Sequence, residues 1–165
     1  MMEPAAMANA IISDIKEIDD PKRANDAFYN ALCKYVEANA QVYYAWAATN
    51  PTGTPDPMIV ITATIKTTGS ISPSGATDPD SALSMFSAML NAQASLWQVV
   101  WPAGFALSPA FVMPTINITP SKATDMNSAW NAVCAQIIAG LKTATLGAGG
   151  AHGAYTGAAT FTSLI

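Results

Sequence analysis

Residues 38–165 carry seven charged side chains: Asp56, Lys66, Asp78, Asp80, Lys122, Asp125 and Lys142. The first 37 residues hold the other eleven, among them Glu3, Asp14, Lys16, Glu17, Arg23, Lys34 and Glu37. Charged residues make up 11% of the chain, against about 25% in an ordinary soluble domain. A free surface is built mostly from groups that water solvates well. The N-terminal region can therefore face water, while the remainder is expected to become core or be covered by partners, the alternative being a compact domain whose surface is solvated by Ser, Thr, Asn and Gln. Hydrophobic residues, at 51%, suffice for a substantial core, and 165 residues is the size of one domain.

Proline and glycine punctuate the chain into segments. Residues 5–18 read as a helix, with Ile11, Ile15 and Ile18 at helical spacing, and Asp19-Asp20 end it. Asp20-Pro21 reads as a cap followed by a first-turn proline and opens a second helix, about 21–48, carrying Phe28, Leu32, Tyr35, Val36, Val42, Tyr43 and Trp46. The prolines of 50–57 stop it. Met58 to Thr67 alternates as a strand, with Ile59, Ile61, Ala63 and Ile65 on one face. Asp78-Pro79 opens a third helix to about Val99, on which Leu83, Phe86, Leu90 and Trp97 share a face. Ala110 to Thr119 reads as a second strand, with Pro114 implying an edge or a break. A fourth helix over about 122–144, capped by Thr124 or Ser121, aligns Met126, Trp130, Val133, Ile137 and Leu141. Ala158 to Ile165 reads as a short apolar strand.

These elements predict an α+β fold, mainly helical. It has about four helices, a small two- or three-stranded sheet and a glycine-rich C-terminal tail. Two strands separated by a helix could form a parallel βαβ pair. Residues 1–146 form a single helical α+β domain and residues 147–165 a glycine-rich C-terminal arm. Leu96 to Met113 is apolar enough to suggest a membrane span, but Pro102, Gly104 and Pro109 interrupt it. No membrane span is expected, and Met1–Ile12 lacks the pattern of a secretory signal.

The sequence offers little to chemistry. His152 is the sole histidine and sits in a glycine-rich setting; it reads as incidental to the tail. A catalytic base needs an orienting partner and a nucleophile, and no spacing supplies them. Gly147-Ala148-Gly149-Gly150-Ala151-His152-Gly153 lacks the spacing, and the following helix, of a phosphate-binding loop. The acidic cluster Asp14, Glu17, Asp19 and Asp20 reads as solvated surface. Asp78 and Asp80 suit a helix N-terminus. No catalytic, cofactor or metal pattern emerges, and the chain is not expected to be an enzyme. Cys33 and Cys134 read as buried free thiols. A net charge of −4 with Lys22-Arg23 as the only adjacent cations argues against direct nucleic-acid binding.

Aromatic residues are the strongest remaining feature: Tyr43, Tyr44, Trp46, Trp97, Trp101, Phe105 and Phe111. Some must be core, and the surplus suits a protein–protein interface. The interface candidates are Tyr44, Trp97, Trp101, Phe105, Phe111, Tyr155 and Phe161. In its sparse charge after Glu37, its Ala/Thr/Ser/Gly-rich stretch Ile59 to Thr77 and its uncharged terminus Gly147 to Ile165, the chain resembles a tailed-bacteriophage virion protein. The likeness is to a small tail, neck or baseplate subunit. It implies a structural protein of the virion, assembled in the host cytoplasm, whose partners are copies of itself and other structural proteins. Thr160-Phe161-Thr162 of its arm would then add to a neighbour's strand edge. Two other readings stay open: a soluble homo-oligomeric module binding an apolar small ligand near Trp97–Phe111, and an enzyme whose site only the fold assembles.

Overall fold

Among the described residues, three of the four helices begin at a proline: α1 (Pro4–Ile15), α2 (Pro21–Asn39) and α3 (Pro79–Ala94). Proline fits the first helical turn, where its missing N–H has no intrahelical partner to lose. The fourth, α4 (Met126–Leu141), begins instead behind Asp125. Asp78 and Asp125 both cap in the same way, each accepting the backbone N–H three residues on, from Ser81 and Ser128 at 2.9 Å. The computed structural model describes residues 1–18, 21–57, 60–71, 78–106, 111–112, 115–119, 122–146 and 150–164. The expected caps Asp20 and Ser121 lie outside them, and Asp125 rather than Thr124 caps α4.

Among the described residues the fold is α+β with four helices, mainly helical, as the pattern predicts. The helices bury much of the expected faces: Ile11 of α1, Phe28, Leu32 and Val36 of α2, Phe86 and Leu90 of α3, and Val133, Ile137 and Leu141 of α4. Met7 of α1 is buried as well, while Ile15 and Ile18 are only half-buried. Phe28 meets Phe86 edge-on at 4.6 Å and stacks on Trp130 at 5.0 Å. Met126, expected on the same face, is exposed at the first position of α4. Against this helical core lie Val42, Ala63 and Ile65 from the sheet.

The second helix ends at Asn39, nine residues earlier than expected, and Gln41–Thr49 forms strand β1. Val42, Tyr43, Tyr44 and Trp46 suit a strand at least as well as a helix. Pairing decides between them: β1 is antiparallel to β2 (Val60–Lys66) on one side and to β8 (Tyr155–Leu164) on the other. Strand β2 alternates as expected, with Ile61, Ala63 and Ile65 buried. Strand β3 (Gln98–Val100) lies on its other flank, also antiparallel. The expected parallel pairing of the 58–67 and 110–119 strands is not seen among the described residues: Phe111–Val112 pairs with Thr145–Leu146, and the strand that flanks β2 is β3, which runs antiparallel directly after α3. The three-stranded unit β3-β2-β1 continues through β8 and β7 (Gly150–His152) to β4 (Phe105–Ala106).

β3 and β4 stand at opposite ends of this order, yet only residues 101–104 join them. Five flat strand spacings would separate them by about 24 Å. Five Cα steps reach at most about 19 Å. The turn that Phe105 N–H closes on Pro102 C=O, at 3.3 Å, shortens the reach further. The sheet therefore curls until one bent segment, residues 98–106, pairs with β2 at one end and β7 at the other. Gly104 makes the corner, its φ of +91° being unfavourable for any other residue. Curling of this kind removes long free edges.

Of the strand expected over 110–119, Phe111–Val112 forms β5, which pairs with β6 (Thr145–Leu146), while residues 110, 113 and 114 lie outside the described residues. Residues 115–119 instead run between α3 and α4, with side chains supplying the hydrogen bonds of a missing strand. Asn91 Oδ1 accepts Ile116 N–H at 2.6 Å and its Nδ2 donates to Ile116 C=O at 2.8 Å. Gln136 accepts Thr119 N–H at 2.8 Å and donates to Thr119 C=O at 3.2 Å. Ile116 is buried, and a β-carbon on Gly140 would come within 2.8 Å of it. Pro114, the expected break, lies outside the described residues.

Candidate functional site

The aromatic candidates scatter rather than converge. Trp97 is 3% exposed, and its indole N–H donates to Tyr29 Oη at 3.0 Å. Tyr29 in turn donates to Thr68 C=O at 2.7 Å. Burial raises the Tyr29 phenol above its ordinary range. Trp97 is thus a core residue that ties β3 to α2, which corrects its reading as an interface residue. Beside it, Glu37 accepts both the N–H and the hydroxyl of Thr67, at 2.8 and 2.6 Å. Those two bonds, the hydroxyl's foremost, hold its carboxyl below the usual range. Trp101 packs half-buried against the core. Phe105 and Tyr155 are half-buried. Tyr44 lies opposite Ile61 and Phe161, and Phe111 opposite Leu146. The side chains of Tyr44, Phe111 and Phe161 lie outside the described residues.

Thr160 and Phe161 pair with Ala45 and Tyr44 of the same chain, and Tyr44 marks a bulge that leaves Thr162 as the extra residue. Their expected role in a neighbour's sheet is therefore filled within the chain.

What the sequence missed is a pair. The loop after β1 folds back because Asn50 Oδ1 accepts the N–H groups of Thr52 and Thr54, at 3.0 and 2.8 Å. Gly53 takes the positive φ of +84° that this turn requires. Asp56 N–H then bonds Ala48 C=O at 2.9 Å. This buries the Asp56 side chain to 1% exposure, 2.7 Å from His152 Nδ1. Phe105 lies parallel to the imidazole, at 4.2 Å and 9°. Gly104 passes the imidazole's other edge, where a β-carbon would stand 3.5 Å from Nε2. Gly153, at φ +57°, turns the chain so that Tyr155 pairs with His152. His152 is therefore no incidental tail residue: it joins the β1–β2 loop, β4 and the β7–β8 hairpin where the sheet curls shut. The sequence signal was its singularity together with Asp56, both polar in a charge-poor stretch.

An imidazole held by a carboxylate is half of a general-base arrangement. Among the described residues no hydroxyl or thiol bonds it, and no group of three or more His, Cys, Asp or Glu could hold a metal ion. Its bond to Asp56 and its stack on Phe105 tie three elements together. Cys134 is buried, which pushes its thiol up to about 12, and Cys33 is half-buried with its thiol also raised by burial. Both are free thiols.

The remaining feature is a surface. The face of β3-β2-β1 turned away from the helices presents Gln98 and Val100, then Val60, Thr62, Thr64 and Lys66, then Gln41, Tyr43 and Ala45. Lys66 is its sole charge. Val60 is 54% and Val100 47% exposed, and Leu96, just before β3, is 59% exposed. None of the helices among the described residues is long and apolar enough to cross a membrane. Compared with known proteins, the chain matches no family model, no curated protein and no solved structure.

Proposed function

We propose that the chain is a structural subunit of a multi-protein assembly that works through protein–protein contacts. Its sparse charge and uncharged terminus favour a tail, neck or baseplate component of a phage virion, with copies of itself and other structural proteins as partners. The observation that carries the reading is the outer face of β3-β2-β1, which exposes Val60 and Val100 around a single lysine. Large exposed aliphatic groups on a charge-poor sheet suit contact with protein better than contact with water.

The size of the face bears on how it would be used. Three strands about 4.8 Å apart and seven residues at about 3.3 Å present on the order of 300 Å². A stable pair of proteins buries about 800 Å² on each partner. This face alone is too small to hold a dimer, and needs several contacts per subunit acting together. Closed assemblies gain strength in that way, because each further contact is made at high effective concentration.

The test is mass in solution by light scattering at several concentrations, for the native chain and for Val60→Glu and Val100→Glu. Exposed substitutions of this kind leave stability within about 0.5 kcal/mol. The expected result is a concentration-dependent oligomer, or aggregation relieved by a co-expressed partner, that the glutamate variants lose while keeping their thermal midpoint. A native chain that stays monomeric at high concentration overturns the reading.

A further inference from the structure

We draw no further inference here: the strongest candidate, the outer face of the β3-β2-β1 unit around Val60, Val100 and Leu96, belongs to the surface already described, and nothing in the structure shows which partner covers it.

Discussion

The residues before and after Glu37 use charge differently. In α1 and α2 charges are numerous and mostly solvated. Lys34 and Asp14 form an ion pair at 3.1 Å with side chains 75% and 42% exposed, a geometry worth little in water. Beyond Glu37 charges are few, and three of the four carboxylates hold backbone or a partner in place. Asp78 and Asp125 cap helices, and Asp56 holds His152. Neutral groups do the remaining polar work there: the indole of Trp97 and the amides of Asn91 and Gln136. Apart from Glu37, which holds Thr67, charge in the first region mostly faces solvent, and in the second it serves position. Substitutions should therefore be tolerated in one and felt in the other.

The largest effect is expected at Trp97. Trp97→Ala removes a buried ring and the donor to Tyr29, and should cost about 3–5 kcal/mol in urea unfolding of the isolated protein. An interface residue would behave in the opposite way, losing assembly while keeping the unfolding midpoint. Asn91→Ala comes next. It leaves the Ile116 N–H without its acceptor, while the Ser87 hydroxyl still donates to the Ile116 carbonyl, a loss of about 1–3 kcal/mol. Gln136→Ala should cost less, because its bonds to Thr119 are exposed.

The Asp56–His152 pair calls for a double-mutant cycle. Asp56→Ala, His152→Ala and the double variant should show a coupling of about 0.5–3 kcal/mol. A coupling near zero would mean that the imidazole merely rests against the loop. The same cycle on Lys34 and Asp14 is expected to yield about 0.5 kcal/mol or less, vanishing in salt. A larger value there would erase the contrast between the two regions.

How far these features could be read in advance follows the range of the interactions behind them. Helix starts are local: Asp78-Pro79 and the proline at 21 act within one turn, so the helices and much of their buried faces were legible, though Ile15, Ile18 and Met126 are not buried as expected. Strand β2 was legible because its own alternation reports one covered face. Strand β1 was not, since Val42, Tyr43 and Trp46 fit a helical face as well as a strand, and β8, more than a hundred residues away, helps decide. The antiparallel course of β2 and β3, and the curl that 101–104 impose, belong to topology, on which no short window of sequence reports. The same holds for Asp56 and His152, which a folded-back loop and a hairpin bring together across 96 positions. Trp97 was misassigned because an aromatic ring looks alike in a core and at an interface until its indole partner is known.

The smallest effect separates the helices themselves. In the charge-poor region Asp78 and Asp125 have their carboxyls held below the ordinary range, chiefly by the side chains of Ser81 and Ser128 and then by their N–H groups. A carboxyl whose folded value is depressed contributes stability that is fully present above its unfolded value, near 4. That contribution is lost as the pH falls through the folded value. Below about pH 4, protonation weakens both caps, and the first turns of α3 and α4 should fray. Glu3, at the capping position before α1, makes no side-chain capping bond, so the start of that helix should lack this acid sensitivity. Amide hydrogen exchange from pH 5 down to pH 3, corrected for intrinsic rates, would follow Ser81 and Ser128 against Met7. Protection lost at the two serines but kept at Met7 is expected, and Asp78→Asn should remove the pH dependence at Ser81 alone. Equal loss at all three would mean that acid acts on the whole fold, and that carboxylates after Glu37 serve position no more than those before it.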